Sequence, residues 1–163
     1  MINLTTAECD KLREQIVHVA VSNIGYGESE GNNRGPFLRA IGAPSGAEWC
    51  AYFAWYCYKR AAVHANLPMP FKGSGNAKRL GLSVLKCGNG FIIPPGEVLP
   101  GDLVVLHRGD SEYTGHVRVV SDCLPGGRRF RQIEGNSGPF PAKVRYRTTD
   151  IYKERLVNVY GLR

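Results

Sequence analysis

The sequence contains no apolar run near the roughly 18 residues that a membrane-spanning helix needs. It also lacks a basic segment followed by an apolar one at its start, where MINLTTAECDKLREQ is polar and mixed in charge. These absences predict a chain made in the cytoplasm without a signal peptide and without membrane insertion. Any action outside the cell then requires something else to carry it there. No CxxC pair occurs among Cys9, Cys50, Cys57, Cys87 and Cys123, which disfavours a zinc ribbon or a thioredoxin-like motif. Their odd number leaves at least one thiol free in a monomer. Cys50 and Cys57 would lie two helical turns apart, roughly 10 Å along the axis, too far for a disulfide. Reduced thiols are the simplest account. Internal repeats, low-complexity linkers and the usual nucleic-acid recognition motifs are missing too.

What is present is one domain's worth of chain, residues 1–163, with a 43% apolar fraction that supports a real core. Twenty glycines and ten prolines argue against a purely helical bundle. The net charge is +7, and residues 118–155 hold nine basic residues against four acidic ones. That concentration predicts one basic face, suited to an anionic wall or membrane surface or to nucleic acid, or simply solvated.

Thr5 and Glu8 form a capping box, followed by Leu12, Ile16, Val19 and Ala20 at helical spacing. A long, polar, glycine-rich stretch follows from Gly25 to Pro36. A second capping box, Ser45 with Glu48, introduces the run 49–62, apolar nearly all round and read as a buried central helix. A weaker helix is expected over 75–85. Beyond residue 88 the pattern changes to strands at 103–106, 115–121, 129–134, 143–147 and 156–162, with Gly126 and Gly127 as a hairpin turn. Helices first and an antiparallel sheet afterwards make an α+β protein.

Cys50, near a predicted helix N-terminus, occupies a place that favours an anion and hence a thiolate. An inert buried cysteine is the alternative. Among the four histidines, His18 and His64 fall on helices without a supporting motif, and His107 ends a strand beside charged residues. His116 follows Gly115, a small residue that would let substrate approach the ring. Glu134, Gly135, Asn136 and Ser137 end the neighbouring strand, where a carboxylate or amide could fix the imidazole tautomer. A thiol at a helix start, an imidazole on one strand and a polar orienter on the next form a papain-like set of roles.

At these residues the sequence resembles a family. Segment 46–55 (GAEWCAYFAW) is similar to the nucleophile motif of CHAP domains, of the NlpC/P60 superfamily. PGDLVV (100–105), GHVRVV (115–120) and IEGN (133–136) resemble their first-strand, histidine-strand and third catalytic motifs, in the right order. The stretch GNNRGP (31–36) resembles a segment seen upstream of the cysteine in a phage-associated CHAP-like subgroup.

The resemblance implies a papain-like NlpC/P60 (CHAP) fold, with N-terminal helices packed on a C-terminal antiparallel sheet. It implies cleavage of a peptidoglycan amide, with Cys50 as nucleophile, His116 as base and then acid, Glu134 orienting His116, and Asn136 supporting it or polarising the site. The Cys50 N–H would hold part of the oxyanion, and Tyr26 and Asn33 are the candidates for the second donor. Trp49, next to the nucleophile, is the aromatic candidate for lining a groove. Arg118 departs from the small or apolar residue usual on such strands and offers a cation to the site or the substrate. No cofactor is expected. Calcium on Glu28, Glu30, Asn32 and Asn33 is the alternative. The expected partner is peptidoglycan, met as a phage lysin released by a holin, within a phage particle or as an injected effector, with an immunity protein in the last case. A monomer is the expected state. Competing readings are a cysteine protease or deamidase acting on protein, and a non-catalytic wall- or nucleic-acid-binding module.

Overall fold

The computed structural model describes every residue except Met1, Pro95 and Glu112. Four helices come first: α1 (Thr6–Ser22), α2 (Pro36–Ala40), α3 (Cys50–Ala65) and α4 (Ala77–Leu85). Strands β1 (Gly90–Ile92), β2 (Leu103–His107), β3 (Gly115–Cys123), β4 (Arg129–Glu134) and β5 (Arg145–Asp150) follow, then a 3₁₀ turn (Ile151–Lys153) and β6 (Leu156–Leu162). The strands form an antiparallel sheet in the order β1-β6-β2-β3-β4-β5. The architecture is α+β, as the succession of helical and strand patterns predicts. Among the described residues no helix is long and apolar enough to cross a membrane.

Local chemistry explains the elements. The Thr5 hydroxyl accepts from the Glu8 N–H, and Glu8 returns the bond to the Thr5 N–H, so α1 starts where the capping box predicts. Its stripe of Cys9, Leu12, Ile16, Val19 and Ala20 is buried, and α1 packs against α3. Asn76 caps α4 through the Arg79 N–H at 3.0 Å. The run Leu103–Leu106 does not alternate because both sheet faces are covered. Leu103 and Val105 join Val117, Val119 and Ile133 in the core under the helices. Val104 and Leu106 join Val120, Phe130, Ile151 and Val159 in a second cluster on the other face.

Three elements escape the sequence pattern: α2 at the end of the polar stretch, the three-residue β1 and the 3₁₀ turn. They are too short to carry a period. The cysteines are all free.

A buried ion pair ties the C-terminus to the start of the sheet. Asp102 has no exposed surface and takes two bonds from the Arg163 guanidinium, at 2.9 and 2.8 Å, and one from the Leu99 N–H at 2.9 Å. Asp102→Ala leaves the Arg163 charge and the Leu99 donor without their partner. It should cost about 3–5 kcal/mol in urea unfolding, and a cost under about 1 kcal/mol would show the pair to be peripheral.

Candidate active site

Cys50 heads α3, but not through the predicted capping box. Trp49 is the N-cap, no side chain caps the helix, and Cys50 is the first helical residue. Gly46, at φ +82°, turns the chain in the left-handed region, and Glu48 points out to Arg108 at 3.1 Å. The thiol therefore stands nearer the positive end of the helix dipole than the predicted cap would place it. Its own N–H is among the first four of the helix, which no helical carbonyl accepts.

His116, the second residue of β3, is buried. Nε2 lies 3.0 Å from Glu134 Oε2, and the neighbouring Cys50 thiol favours the charged form of the ring. The structure thus brings Cys50, His116 and Glu134 together. Burial opposes a charged His116, but Cys50 and Glu134 outweigh it and raise its pKa above the ordinary 6.5.

Glu134 ends β4 with no exposed surface, directly opposite Arg145 on β5. Oε2 also accepts from Arg118 Nε at 2.8 Å, and Oε1 accepts from Arg145 Nε at 3.1 Å, with Arg147 at 4.0 Å. Burial alone would raise the Glu134 pKa. The His116 bond and the Arg118 charge overcome it and bring the value down to about 2.

Asn136 is buried at φ +55°, and its Nδ2 has no hydrogen-bond partner. Arg118 is almost wholly buried, its Nε on Glu134 and its NH1 on Glu154 at 2.7 Å. Both bonds go to carboxylates, so its guanidinium holds the carboxylate that holds His116.

Three sequence-predicted residues sit elsewhere. Trp49 is 0% exposed, so it lines no groove. Its Nε1 donates to Glu28 at 3.1 Å, and its ring packs where a Cβ on Gly135 would collide with it. It is the floor beneath the end of β4. Tyr26 is 58% exposed and stacks on Phe37, outside the hollows beside Cys50 and His116. Asn33 adopts φ +54°, donates its N–H to Glu28 at 3.0 Å and accepts from the Gly46 N–H at 2.9 Å. It shapes the approach to the helix, and like Tyr26 it borders neither hollow.

Glu28, for which the sequence offered a groove wall or calcium, is a structural anchor. It is 1% exposed and accepts from Trp49 Nε1, the Asn33 N–H and the Ala142 N–H, the last at 2.9 Å. It pins the polar loop to the residue before the nucleophile. Glu30 is paired with Arg39 at 2.7 Å. Carboxylates already bonded to N–H donors make a poor calcium cage, and no group of three or more metal-binding side chains gathers among the described residues.

Two hollows flank Cys50 and His116. One, about 250 Å³, has Cys50 in its wall with Tyr52, Gly75, Asn76 and Tyr113. The other, about 390 Å³, has His116 in its wall with His107, Arg108, Ser137, Lys153 and Arg155. Sequence reasoning missed the first lining set. Its signal was the small-residue run 73–75, because a Cβ on Gly75 would strike the Tyr52 ring. Gly115 also borders that hollow, but a Cβ there would press on Leu106 O at 3.1 Å and on Lys78 and Ala77, so packing against α4 is one reason for its small size.

A thiol at a helix start, set beside a strand imidazole and a buried carboxylate on an α+β scaffold, defines a papain-like cysteine-site protein. Residues 42–136 match the CHAP domain family, a span containing Cys50, His116, Glu134 and Asn136. The chain belongs to the CHAP domain family. Among solved structures, Ly7917 shares the fold at a TM-score of 0.57 and 19% identity, covering 92% of this chain and 62% of that one. A mutated form of the Resuscitation Promoting Factor Interacting protein RipA gives 0.59 and 17%, covering 98% of this chain and 65% of that one. The peptidoglycan hydrolase RipB from Mycobacterium tuberculosis gives 0.53 and 20%, covering 97% and 67%. This chain is therefore shorter than each of them, and the likeness is one of fold. No curated protein is similar enough in sequence to stand beside these.

The shifts set a pH dependence of stability. Glu134, with its pKa lowered, contributes stability that is present above its unfolded value near 4.5 and is lost as pH falls toward about 2. His116, with its pKa raised, contributes below 6.5 and loses the contribution as pH rises through its folded value. In urea unfolding, Glu134→Gln should flatten the acid loss between pH 4.5 and 2. His116→Gln should cost more at pH 6 than at pH 9. Parallel profiles for both variants and wild type would contradict the network. A separate test concerns the loop anchor: Glu28→Ala strands three N–H donors and should cost about 2–3 kcal/mol, read from the same urea curves.

Proposed function

We propose that this protein is a peptidoglycan hydrolase that cleaves an amide bond of the bacterial cell wall by thiol chemistry, as an N-acetylmuramoyl-L-alanine amidase or a D,L-endopeptidase. The observation that carries the reading is the buried grouping of Cys50, His116 and Glu134 within a CHAP domain. A pure binding module has no use for a nucleophile, a base and an orienting carboxylate held together in this way. The peptidoglycan hydrolase RipB, similar in fold, supports the substrate class.

The reaction follows from the arrangement. Cys50 Sγ, as thiolate, adds to the amide carbonyl and forms the C–S bond. The developing oxyanion is held by the Cys50 N–H at the start of α3. The Asn136 amide, buried with a free N–H donor, is the candidate for polarising the site. The C–N bond then breaks as His116 delivers its proton to the leaving amine. Glu134 accepts from His116 Nε2 throughout, which leaves the other ring nitrogen to serve the thiol and the leaving group. Water, deprotonated by the now neutral His116, attacks the thioester, expels the Cys50 thiolate and releases the acid. Arg118 is a positioning residue for Glu134. No cofactor enters this scheme.

In its biological setting the protein would act in the periplasm or wall as a phage lysin or an antibacterial effector, reached through a holin, a phage particle or injection. It would act as a monomer on peptidoglycan, with an immunity protein if it is an effector. The test is a digest of purified peptidoglycan resolved by mass spectrometry, with wild type and Cys50→Ala, with and without a calcium chelator. New muropeptides from wild type alone, unaffected by the chelator, are expected, and their masses identify the bond. Intact peptidoglycan with both proteins would overturn the reading and favour a protein substrate.

A further inference from the structure

The two hollows beside the catalytic pair differ in chemistry, and the reaction assigns each a half of the substrate. The amine nitrogen must lie against the imidazole that protonates it, so the leaving half departs on the His116 side. The acyl half, bonded to Cys50, occupies the smaller hollow bordered by Tyr52, Gly75, Asn76 and Tyr113. The leaving half therefore enters the larger hollow, and that one is cationic.

Its wall carries Arg108, Lys153 and Arg155 together with His107. The single carboxylate in the lining, Glu154, is bonded to Arg118 at 2.7 Å. Lys153 has no ion pair among the described residues. Arg108 and Arg155 are held only at the surface, by Glu48 at 3.1 Å, by the fully exposed Asp110 at 3.4 Å and by the Gly109 carbonyl. Exposed pairs of this kind contribute little, so a carboxylate entering the hollow can replace their partners at little cost. Arg108, just after β2, and Lys153 and Arg155, from the end of the 3₁₀ turn and the residues before β6, converge with Arg118 of β3 on a concave site that opens beside the His116 imidazole.

Resting on the hydrolase reading above, we infer that the His116-side hollow is a carboxylate-binding subsite for the leaving-amine half of the substrate. The enzyme then selects amides whose released amine is an amino acid or peptide bearing a free carboxylate near the scissile bond. Lys153 and Arg155 are the specificity-determining residues, with Arg108 closing the site from just after β2.

The test uses the muropeptide whose bond the digest shows to be cut, in two forms: leaving-side carboxylates free, or converted to carboxamides. Wild type should cleave the free acid about tenfold faster in kcat/KM, and the preference should shrink as salt is raised. Lys153→Met with Arg155→Met should bring the two substrates within about twofold of each other, and Lys153→Arg should keep the preference. Both side chains are exposed, so the variants should keep the wild-type unfolding midpoint. Equal rates on the two forms in wild type, or a preference untouched in the double variant, overturn the subsite alone. Intact peptidoglycan in the digest overturns the hydrolase reading and the subsite with it.

Discussion

A carboxylate with no contact to water is costly unless charge and hydrogen bonds compensate it, and Glu134 is such a group. It receives His116, Arg118 and Arg145, with Arg147 close by. These partners come from β3 on one side and β5 on the other, so the ion also joins three strands at the end nearest the nucleophile. Its lowered pKa and the raised pKa of His116 are two expressions of one interaction. The geometry of the imidazole toward Cys50 depends on it. So does the character of the surrounding surface, because the cations that neutralise Glu134 belong to the basic stretch 118–155.

A second buried carboxylate does the same for the nucleophile. Glu28 collects the indole of Trp49, the N–H of Asn33 and the N–H of Ala142. The polar loop, the residue before Cys50 and the segment entering β5 are thereby held to one point. Trp49 connects the two carboxylates: its ring packs under Gly135, the residue after Glu134, while its N–H serves Glu28. Cys50 and His116 are thus held by two buried carboxylates, each satisfied by donors from distant parts of the chain.

Much of this was legible in the sequence where the signal was local. The capping box at Thr5, the stripe of α1, the apolar run of α3 and the strand runs each depend on residues a few positions apart. The order of the cysteine, histidine and glutamate motifs also pointed to the three residues that the fold unites. What failed was decided at long range. The Ser45–Glu48 box is chemically plausible, yet Gly46 turns the chain and Arg108, sixty positions on, takes the Glu48 side chain. Trp49 looked like a groove residue from its place beside Cys50, but its burial is set by Glu28 and Gly135. The anchoring role of Glu28 was not legible, because nothing local reveals that its oxygens are bonded to N–H groups as far off as Ala142. The basic stretch was visible as composition. Which of its members face Glu134 and which face the open hollow depends on strand register and on the 3₁₀ turn, neither readable from charge alone.

The central claim is that His116 is coupled electrostatically to both Cys50 and Glu134. Nitrogen-15 NMR of the histidine side chains, titrated from pH 4 to 10 in wild type and in Cys50→Ala, tests it directly. The account predicts a proton on His116 Nε2, a pKa above the ordinary 6.5 in wild type, and a clear fall in Cys50→Ala. A pKa at or below 6.5 that does not move on loss of the thiol would contradict it.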